Sequence, residues 1–374
     1  MNKSIVACAI VAMLSGCGGG NNGSDTPAVA NSASGPTAKI PATDNVLANQ
    51  LKSAAIQKAI AKPSSTPYGW WFANYCSEPG QTGFDSCQSS YTSTIGGAPK
   101  GWLTYLAANY TPNDPSFGWA AASNYYAMQG AADSYTSPSN GTIPIIGLPM
   151  GYSASGNGPG GDLFSAIANG TYDTSIKGSV DAWAKAGYTT LVYRPGWEFN
   201  GNWYPWSVQN STQLTNFIQA FQHMYTVLHN EAKADGVNLY VEWNPNTGGN
   251  QAGGTSTWMD WWPGSSYVDI VAIDSYGYPV NAGANVSDAG SSTDYSIIQS
   301  INFANTEGML WSLTETGGDN SDNFITDLGS VLKNNPVQYN SFVGLWNTTQ
   351  GGGVEWSAGS EASAYYTTFV TDNP

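Results

Sequence analysis

Eight short apolar segments, separated by stretches with helical periodicity, constrain the fold of this chain more than any other feature. The predicted strands are Tyr68–Tyr75, Gly101–Leu106, Ile143–Met150, Thr189–Arg194, Leu239–Trp243, Val268–Asp274, Met309–Thr314 and Phe342–Trp346. Strands that alternate with helices in this way are typical of a parallel sheet covered by helices. We predict a single (β/α)8 TIM barrel. An open doubly wound sheet is the alternative, but no glycine-rich phosphate-binding motif follows the first strand.

The clearest helix pattern contains both histidines of the chain. Its apolar face includes Leu214, Phe217 and Leu228, and His223 and His229 lie between these residues along the chain. Ser211 or Thr212 can cap its start, and Gly236 can end it. Because both histidines belong to a helix and not to a strand end, the sequence disfavours a Ser-His-Asp triad or a histidine-rich zinc site at the barrel mouth.

The charge composition restricts the partners. Charged residues make up 10% of the chain, and the formal net charge is −15. Nucleic acids and anionic membrane surfaces bind proteins through basic patches, so both are disfavoured as partners. Aromatic residues make up 13% of the chain. This combination favours a neutral polysaccharide or oligosaccharide as the partner and a monomer as the oligomeric state.

The first 63 residues predict export and anchoring. A basic start at Lys3, an apolar run from Ile5 to Met13 and a small-residue site ending in Cys17 resemble a bacterial lipoprotein signal. The alternative is an ordinary signal peptide with an incidental cysteine. We predict a signal over residues 1–16, lipid on Cys17, a flexible tether with a short helix over 17–63, and the barrel domain over 64–374. The membrane would then be reached only through the lipid, at the outer membrane or cell surface.

Two cysteines remain after this amino-terminal segment. Cys76 and Cys87 lie eleven residues apart in a glycine- and serine-rich stretch. In an exported protein this spacing predicts a disulfide bond. A metal site is disfavoured because no histidine lies near either cysteine in the sequence.

Polar and aromatic residues gather where the predicted strands end. In a TIM barrel such residues meet at one mouth, where active sites form. The residues at these ends are Asn74, Asn109, Glu198, Asn200, Asn244, Asn246, Asp274, Tyr276, Glu315, Trp346 and Asn347. The richest segment runs from Leu191 to Trp206 and combines Glu198 with three tryptophans. Indole rings stack on sugars and raise the pKa of a nearby carboxyl, which suits a sugar site. The alternative is a buried aromatic core with an Arg194–Glu198 ion pair.

Two carboxyl groups at one mouth would suit glycoside hydrolysis. One carboxyl group protonates the leaving oxygen, and the other attacks the sugar or activates water. Glu198 follows the fourth predicted strand and Glu315 the seventh, so both are candidates. Each could separately be a surface residue. Glu242, within the fifth strand, could be an ion-pair partner inside the barrel or a substrate contact.

Four motifs, in order along residues 190–347, resemble glycoside hydrolase family 26, known best for β-mannanases. They are Arg194-Pro195-x-x-Glu198-x-Asn200-Gly201-x-Trp203-x-x-Trp206, Trp243-x-Pro245-Asn246, Tyr267-Val268-Asp269-Ile270-Val271-x-Ile273-Asp274-x-Tyr276 and Thr314-Glu315-x-Gly317. The resemblance implies a (β/α)8 retaining enzyme with Glu198 as acid/base and Glu315 as nucleophile. It implies no metal or organic cofactor.

The resemblance also extends to substrate contacts. It implies that Tyr276 holds the nucleophile, that Trp346 lies under the sugar at the cleavage point, and that Trp203 and Trp206 line glycone subsites. Together with the strand-end argument, this gives the predicted substrate-binding set Arg194, Trp197, Asn200, Trp203, Trp206, Trp243, Asn246, Asp274, Tyr276 and Trp346.

One position departs from the family pattern. Family mannanases commonly have histidine before the acid/base, and this chain has Trp197 there. Catalytic roles survive that change, whereas the polysaccharide stays open among β-mannan, β-xylan and mixed-linkage glucan. We predict a retaining endo-β-glycanase, with β-1,4-mannan as the first substrate. The alternatives are a non-catalytic carbohydrate-binding lipoprotein and an enzyme that processes exopolysaccharide.

Overall fold

The structure is a computed structural model. It describes residues 71–76, 78–95, 99–106, 118–152, 161–247, 258–277, 295–318, 328, 331–332, 334–335, 337 and 340–346. The predicted signal, the lipidated Cys17, the tether, Asn109 and Asn347 lie outside these residues. Within them, no helix combines the length and the apolar character needed to cross a bilayer.

The barrel prediction is confirmed. The strands are β1 (Trp71–Tyr75), β2 (Gly101–Tyr105), β3 (Ile143–Leu148), β4 (Thr190–Pro195), β5 (Asn238–Trp243), β6 (Ile270–Gly277), β7 (Leu310–Gly318) and β8 (Asn340–Trp346). They pair in parallel in the order of the chain, and β8 pairs with β1 to close the sheet. This closure excludes the open doubly wound sheet.

Helices cover the outside of the barrel. The described helices are α1 (Phe84–Ile95), α2 (Trp119–Ala132), α3 (Phe164–Ala168), α4 (Asp173–Lys185), α5 (Ser211–Asp235) and α6 (Ile297–Glu307). Helix α5 is the one predicted from its apolar face, and it ends at Gly236, where φ is +72°. Its cap is Asn210, not Ser211 or Thr212, because the Asn210 side chain accepts the backbone N–H of Gln213.

The core has two layers. Between barrel and helices, Phe217, Phe221, Met224 and Leu228 of α5 are fully buried, and each contributes roughly 1.5–3 kcal/mol. Inside the barrel, an apolar cluster takes one or two side chains from seven of the eight strands: Ala73, Tyr75, Leu103, Ile145, Val192, Ile270, Leu310 and Phe342. The interior is therefore filled, and polar groups are left for the carboxyl-terminal mouth.

Strand β7 contains an irregularity that re-aims its carboxylate. Ile273 of β6 pairs with Leu313, but the next residue of β6, Asp274, pairs with Glu315, so Thr314 is an extra residue. A bulge of this kind reverses the alternation of side chains beyond it. Without the bulge, Glu315 would face the helices. The strand also extends to Gly318, beyond the predicted end at Thr314.

A glycine on β8 makes room for this bulge. A Cβ atom built on Gly344 would lie 1.9 Å from the backbone oxygen of Thr314, closer than any real contact. The register between β7 and β8 shifts at the same place, between Val343 and Leu345. Gly344 is thus the residue that lets the two backbones approach at the bulge.

The predicted disulfide is confirmed. Cys76 and Cys87 are bonded. Both are buried with Phe84, and the bond ties the residue after β1 to helix α1. The first strand, which borders the mouth of the barrel, is thereby fixed to the helical layer.

Candidate active site

The two predicted catalytic glutamates meet at the barrel mouth. One carboxylate oxygen from each of Glu198, Asp274 and Glu315 lies within 4.8 Å of the other two. All three side chains are buried, Glu198 at 7% and Glu315 at 6% exposure. The mouth therefore contains a compact acidic group with little access for water.

Glu198 lies in a tight turn after β4. Gly196 has φ of +57°, and Glu198 itself has φ of +53°; Glu198 is the only non-glycine residue in the left-handed region among the described residues. Its N–H donates to the carbonyl of Asn244, 2.8 Å away. A side chain in this backbone conformation is held at a cost of about 1–3 kcal/mol, and such strain concentrates at functional sites. The turn points the carboxyl across the mouth.

The surroundings of Glu198 favour its protonated form. The Trp203 indole N–H donates to Oε2 at 2.8 Å, and the Asn246 amide donates to Oε1. Burial first, and then the charge of Glu315, raise the pKa of Glu198 to about 7, although the two hydrogen bonds oppose this rise. A carboxyl with this pKa can give up a proton and take one back near neutral pH.

Glu315 is held by different groups. The phenol of Tyr105 donates to Oε1 at 2.5 Å, and the phenol of Tyr276 donates to Oε2 at 2.6 Å. The guanidinium of Arg194 lies 2.8 Å from Oε1. Three donors, one of them a cation, therefore hold this carboxyl group in place.

Arg194 is the centre of a buried network. Its guanidinium donates to Asp274 and to Asn244, each at 2.7 Å, and its Nε lies 3.5 Å from Glu242. Its carboxylate partners in the described structure are Glu242, Asp274 and Glu315. The interpretation of an Arg194–Glu198 ion pair is therefore wrong. Arg194 and Asp274 are fully buried and bonded to other side chains of this network. Their predicted role as sugar contacts stays a prediction.

Glu242 is an ion-pair partner inside the barrel, one of its two predicted roles. It accepts hydrogen bonds from the hydroxyls of Ser312 and Thr314, both on the strand that bears Glu315. Burial raises its pKa to about 7, against the opposing effects of Arg194 and the two hydroxyls. Glu242 thus connects β5 to the bulge of β7.

Asn200 and Asn246 form a reciprocal pair behind Glu198. The Asn200 amide donates to the Asn246 carbonyl, and the Asn246 backbone N–H donates back to the Asn200 side chain, both at 2.8 Å. Asn200 is buried, so it fixes the segment that follows β5. Asn246 in turn reaches the carboxyl of Glu198.

The predicted aromatic contacts separate into two groups. Trp203 is 36% exposed and Trp346 is partly exposed, so both can face a ligand. Trp346 stacks on Tyr75 with 4.2 Å between ring centroids. Trp203 bonds Glu198, and Trp346 packs against Tyr105, which bonds Glu315.

The second group is buried. Trp206 donates its indole N–H to the carbonyl of Trp197, and Trp243 donates to that of Trp261. Both side chains are buried: Trp206 stacks on Tyr204, and Trp243 packs edge-on against Trp262. Their predicted sugar contacts stay predictions. Trp197 is 4% exposed, about as buried as the two glutamates beside it.

Tyr105 is the site residue that sequence reasoning missed. It ends β2 inside the segment Gly101–Leu106, which was predicted as a strand but assigned no chemistry. An apolar segment with one tyrosine gives no sign that the phenol faces a carboxylate over 200 residues away. The alternation along β2, with Leu103 inside the barrel, places Tyr105 on the inner face, and this was the one available signal.

The histidines lie away from the mouth, as predicted. Both lie on helix α5: His223 pairs with Asp173 of α4 at 2.7 Å, and His229 with Asp269, just before β6, at 2.8 Å. The carboxylates of Glu198, Asp274 and Glu315 are close enough to share a divalent cation. Arg194 already supplies a positive charge to two of them, so the donor set fits a guanidinium better than a metal.

The arrangement places Glu198, whose pKa is raised to about 7, beside Glu315, which is held by two phenols and a guanidinium. Both glutamates lie in a part of the chain that is similar to known proteins. Residues 178–351 match the model of Glycosyl hydrolase family 26. The chain is 34% identical over 118 residues to Endoglucanase H of Acetivibrio thermocellus, covering 30% of this chain and 12% of that protein.

Two further similarities concern mannan-degrading proteins. Mannan endo-1,4-beta-mannosidase A and B of Caldalkalibacillus mannanilyticus is 32% identical over 92 residues, covering 23% of this chain and 16% of that protein. A modular endo-beta-1,4-mannanase of Cellulomonas fimi has a similar fold, with a TM-score of 0.56, 16% identity, and coverage of 86% of this chain and 73% of that one. The chain thus spans less than a fifth of the length of the two curated relatives.

Proposed function

This chain belongs to glycoside hydrolase family 26, and we propose that it is a retaining endo-β-glycanase that cleaves a neutral β-linked polysaccharide, β-1,4-mannan first. The observation that carries the proposal is the asymmetry of its two glutamates. Glu198 has a pKa raised to about 7, and Glu315 is bound to a guanidinium and two phenols.

In the first step Glu315 attacks the anomeric carbon while Glu198 protonates the leaving oxygen. The bond between the anomeric carbon and the glycosidic oxygen breaks, and an ester bond to Glu315 forms. The aglycone leaves as an alcohol with the proton from Glu198. Burial of both carboxyls strengthens this charge movement because little water is present to screen it.

In the second step Glu198 acts as a base. Its carboxylate removes a proton from water, the water oxygen bonds to the anomeric carbon, and Glu315 leaves as a carboxylate. Trp203 and Asn246 donate to both oxygens of Glu198. Hydrogen bonds to the charged form stabilise it, so these two donors suit the moment when Glu198 has lost its proton.

The spacing of the glutamates supports retention of configuration. Retaining enzymes place the two carboxyl groups about 5–5.5 Å apart, and inverting enzymes place them about 6.5–9.5 Å apart to hold a water between them. In this chain the nearest oxygens lie within 4.8 Å. This limit lies below the inverting range, which supports the retaining mechanism.

The substrate is argued from charge and from the relatives. The net charge of −15 and the acidic mouth would repel polyanions, which favours a neutral polymer. Trp203 and Trp346 offer rings for sugar faces. Mannan is placed first because of the likeness to mannanases, and a β-glucan second because of the likeness to Endoglucanase H.

The test is incubation of residues 64–374, compared with the full chain, with mannan, xylan, β-1,4-glucan and mixed-linkage glucan. We expect internal cleavage of mannan, and proton NMR should show the β-anomer as the first product. If only a glucan were cleaved, the proposed substrate would change from mannan to that glucan, and the proposed mechanism would stand. A first product with the α-configuration, or release of single sugars from chain ends only, would contradict the proposal.

Export and anchoring are a separate proposal. It rests on the lipoprotein-like segment ending in Cys17 and agrees with the Cys76–Cys87 disulfide, because such bonds persist in oxidising compartments. We expect radiolabelled palmitate to enter the wild type and not Cys17→Ser, and the labelled protein to fractionate with the outer membrane as a monomer. Labelling of Cys17→Ser would contradict lipid attachment at this residue.

A further inference from the structure

Tyr105 makes contacts that the mechanism above does not use. Its hydroxyl donates to Oε1 of Glu315 at 2.5 Å and accepts from Arg194 at 2.9 Å. Its backbone N–H donates to the buried carboxyl of Glu78 at 3.2 Å. Hydrogen bonds therefore fix both the main chain and the hydroxyl of Tyr105. The hydroxyl bridges Arg194 and Glu315.

The ring of Tyr105 is held by a close aromatic neighbourhood. Its centroid lies 5.3 Å from Trp197, 5.2 Å from Tyr75 and 5.6 Å from Trp346. Trp197 is the neighbour that comes from the turn bearing Glu198. The phenol on the nucleophile and the indole beside the acid/base are thus in direct contact.

Gly147 on β3 makes that contact possible. A Cβ atom there would lie 2.7 Å from Tyr105 and 3.2 Å from Trp197. Either ring would have to move if this residue were larger than glycine. The three residues therefore form one packed unit, which we call the Tyr105–Trp197 unit.

We propose that Tyr105 is a catalytic residue that holds Oε1 of Glu315. Trp197 is then a positioning residue, which acts by packing against Tyr105 and not by contact with the sugar. The proposal deepens the proposed function and rests on it. In this assignment Oε1 is the held oxygen, since it accepts from both Tyr105 and Arg194. Oε2, bonded to Tyr276, is the oxygen that attacks.

The chemistry places the effect in the second step. When the bond between the anomeric carbon and Oε2 breaks, its electron pair returns to Glu315 and the charge spreads onto Oε1. Tyr105 and Arg194 then donate to that charge, which lowers the barrier for release of the nucleophile. Loss of the phenol should therefore slow hydrolysis of the glycosyl-enzyme more than its formation.

Tyr105→Phe is the first variant. We expect kcat to fall about ten- to hundredfold, the range for loss of one hydrogen bond to a charged group, with KM unchanged or lower because the intermediate accumulates. Tyr188→Phe is the matched control: it removes a buried phenol that bonds the Thr136 carbonyl outside the mouth, and its kinetics should match the wild type. A raised KM with unchanged kcat in Tyr105→Phe would overturn the proposal.

A double-mutant cycle tests the role of Trp197. Trp197→Ala should lower kcat about tenfold in the wild type and hardly at all in the Tyr105→Phe background, because the two changes remove the same interaction. Trp197→Phe keeps a ring beside Tyr105 and should restore most of the loss. Additive losses would show that Trp197 acts on its own, and the proposal would fail.

A spectroscopic readout separates this inference from the proposed function. Short hydrogen bonds from phenols to a carboxylate give downfield proton resonances. We expect one such resonance to vanish in Tyr105→Phe, another in Tyr276→Phe, and that of Tyr105 to shift in Trp197→Ala and in Gly147→Ala. If these shifts occurred in a protein that hydrolyses no glycan, they would refute the proposed function, and with it the catalytic role of Tyr105, while confirming that Trp197 positions the Tyr105 phenol. An unchanged Tyr105 resonance in Trp197→Ala would refute the inference even in an active enzyme.

Discussion

The turn after β4 and the strand β7 each carry a buried glutamate, but they surround its carboxyl group with different donors. Glu198 sits in a left-handed turn and accepts from two neutral N–H donors, of Trp203 and Asn246. Glu315 sits past a β-bulge and accepts from Arg194 and two phenols. Within the described structure, the guanidinium forms an ion pair with Glu315 and none with Glu198.

This difference divides the work between the two carboxyls. Burial and the charge of Glu315 raise the pKa of Glu198, and its two hydrogen bonds and Arg194 only partly offset this rise. Glu315 loses water as well but gains a cation. In the proposed mechanism, these different neighbours make one glutamate the acid and the other the nucleophile, a pattern known from other paired catalytic carboxylates.

The largest effect should come from removing the carboxyl group of Glu198 or of Glu315 and assaying each variant on a substrate with an activated leaving group. With a dinitrophenyl glycoside, which needs no protonation, Glu198→Ala should still form the glycosyl-enzyme rapidly. Glu315→Ala should lose about 10⁴-fold or more, because no nucleophile remains. Stopped-flow release of dinitrophenol measures both. Equal losses of the dinitrophenol-release rate in Glu198→Ala and Glu315→Ala would contradict the different roles proposed for the two glutamates.

The second effect concerns the bulge. Gly344→Ala would force a methyl group against the Thr314 carbonyl, disturb the bulge and misdirect Glu315. We expect kcat/KM to fall about a hundredfold and the free energy of unfolding to drop by about 1–3 kcal/mol. Gly317→Ala is the control, since its Cβ would meet nothing closer than 3.4 Å. Full activity in Gly344→Ala would mean that the bulge does not aim Glu315.

A smaller effect concerns the donors of Glu198. Trp203→Phe removes a hydrogen bond that lowers the pKa of Glu198, so that pKa should rise above about 7. Because the acid form is needed in the first step, the basic limb of kcat/KM should move to higher pH, with a loss of about threefold to tenfold at the optimum. Trp183→Phe, outside the mouth, should leave the profile unchanged. A shift to lower pH in Trp203→Phe would contradict this role.

The smallest effect is on stability. The folded-state pKa of Glu242 is about 7, above its ordinary value of 4.5, so its contribution is complete below about pH 4.5 and is lost as pH rises through about 7. We expect wild-type stability to decline over this window and Glu242→Gln to decline less. Urea unfolding at pH 5 and pH 8 measures the difference. A steeper decline in the variant would show that Glu242 is stabilised as an anion by Arg194.

The sequence predicted the barrel well because its signal is local. Each strand is a short apolar run, and all eight lie within a few residues of their predicted bounds. Glu198 and Glu315 were identifiable because each ends such a run. The conserved geometry of parallel strands then brings them to one mouth.

The bulge and the supporting residues were not predictable in the same way. Thr314 becomes an extra residue only through pairing with β6, and Gly344 matters only because β8 passes beside it. Trp206 and Trp243 were assigned to the sugar from the family resemblance and the strand-end argument, and neither says which face of an element a ring occupies. Their burial follows from packing against neighbours distant in the sequence.

The most direct test of the division between the two glutamates is rescue by azide. Glu198→Ala and Glu315→Ala are each incubated with a dinitrophenyl glycoside and sodium azide, and the glycosyl azide is assigned by NMR. We predict a β-azide from Glu198→Ala, formed by attack on the glycosyl-enzyme, and an α-azide from Glu315→Ala, formed by direct displacement. The reverse pair of products would show that Glu198 is the nucleophile and Glu315 the acid/base.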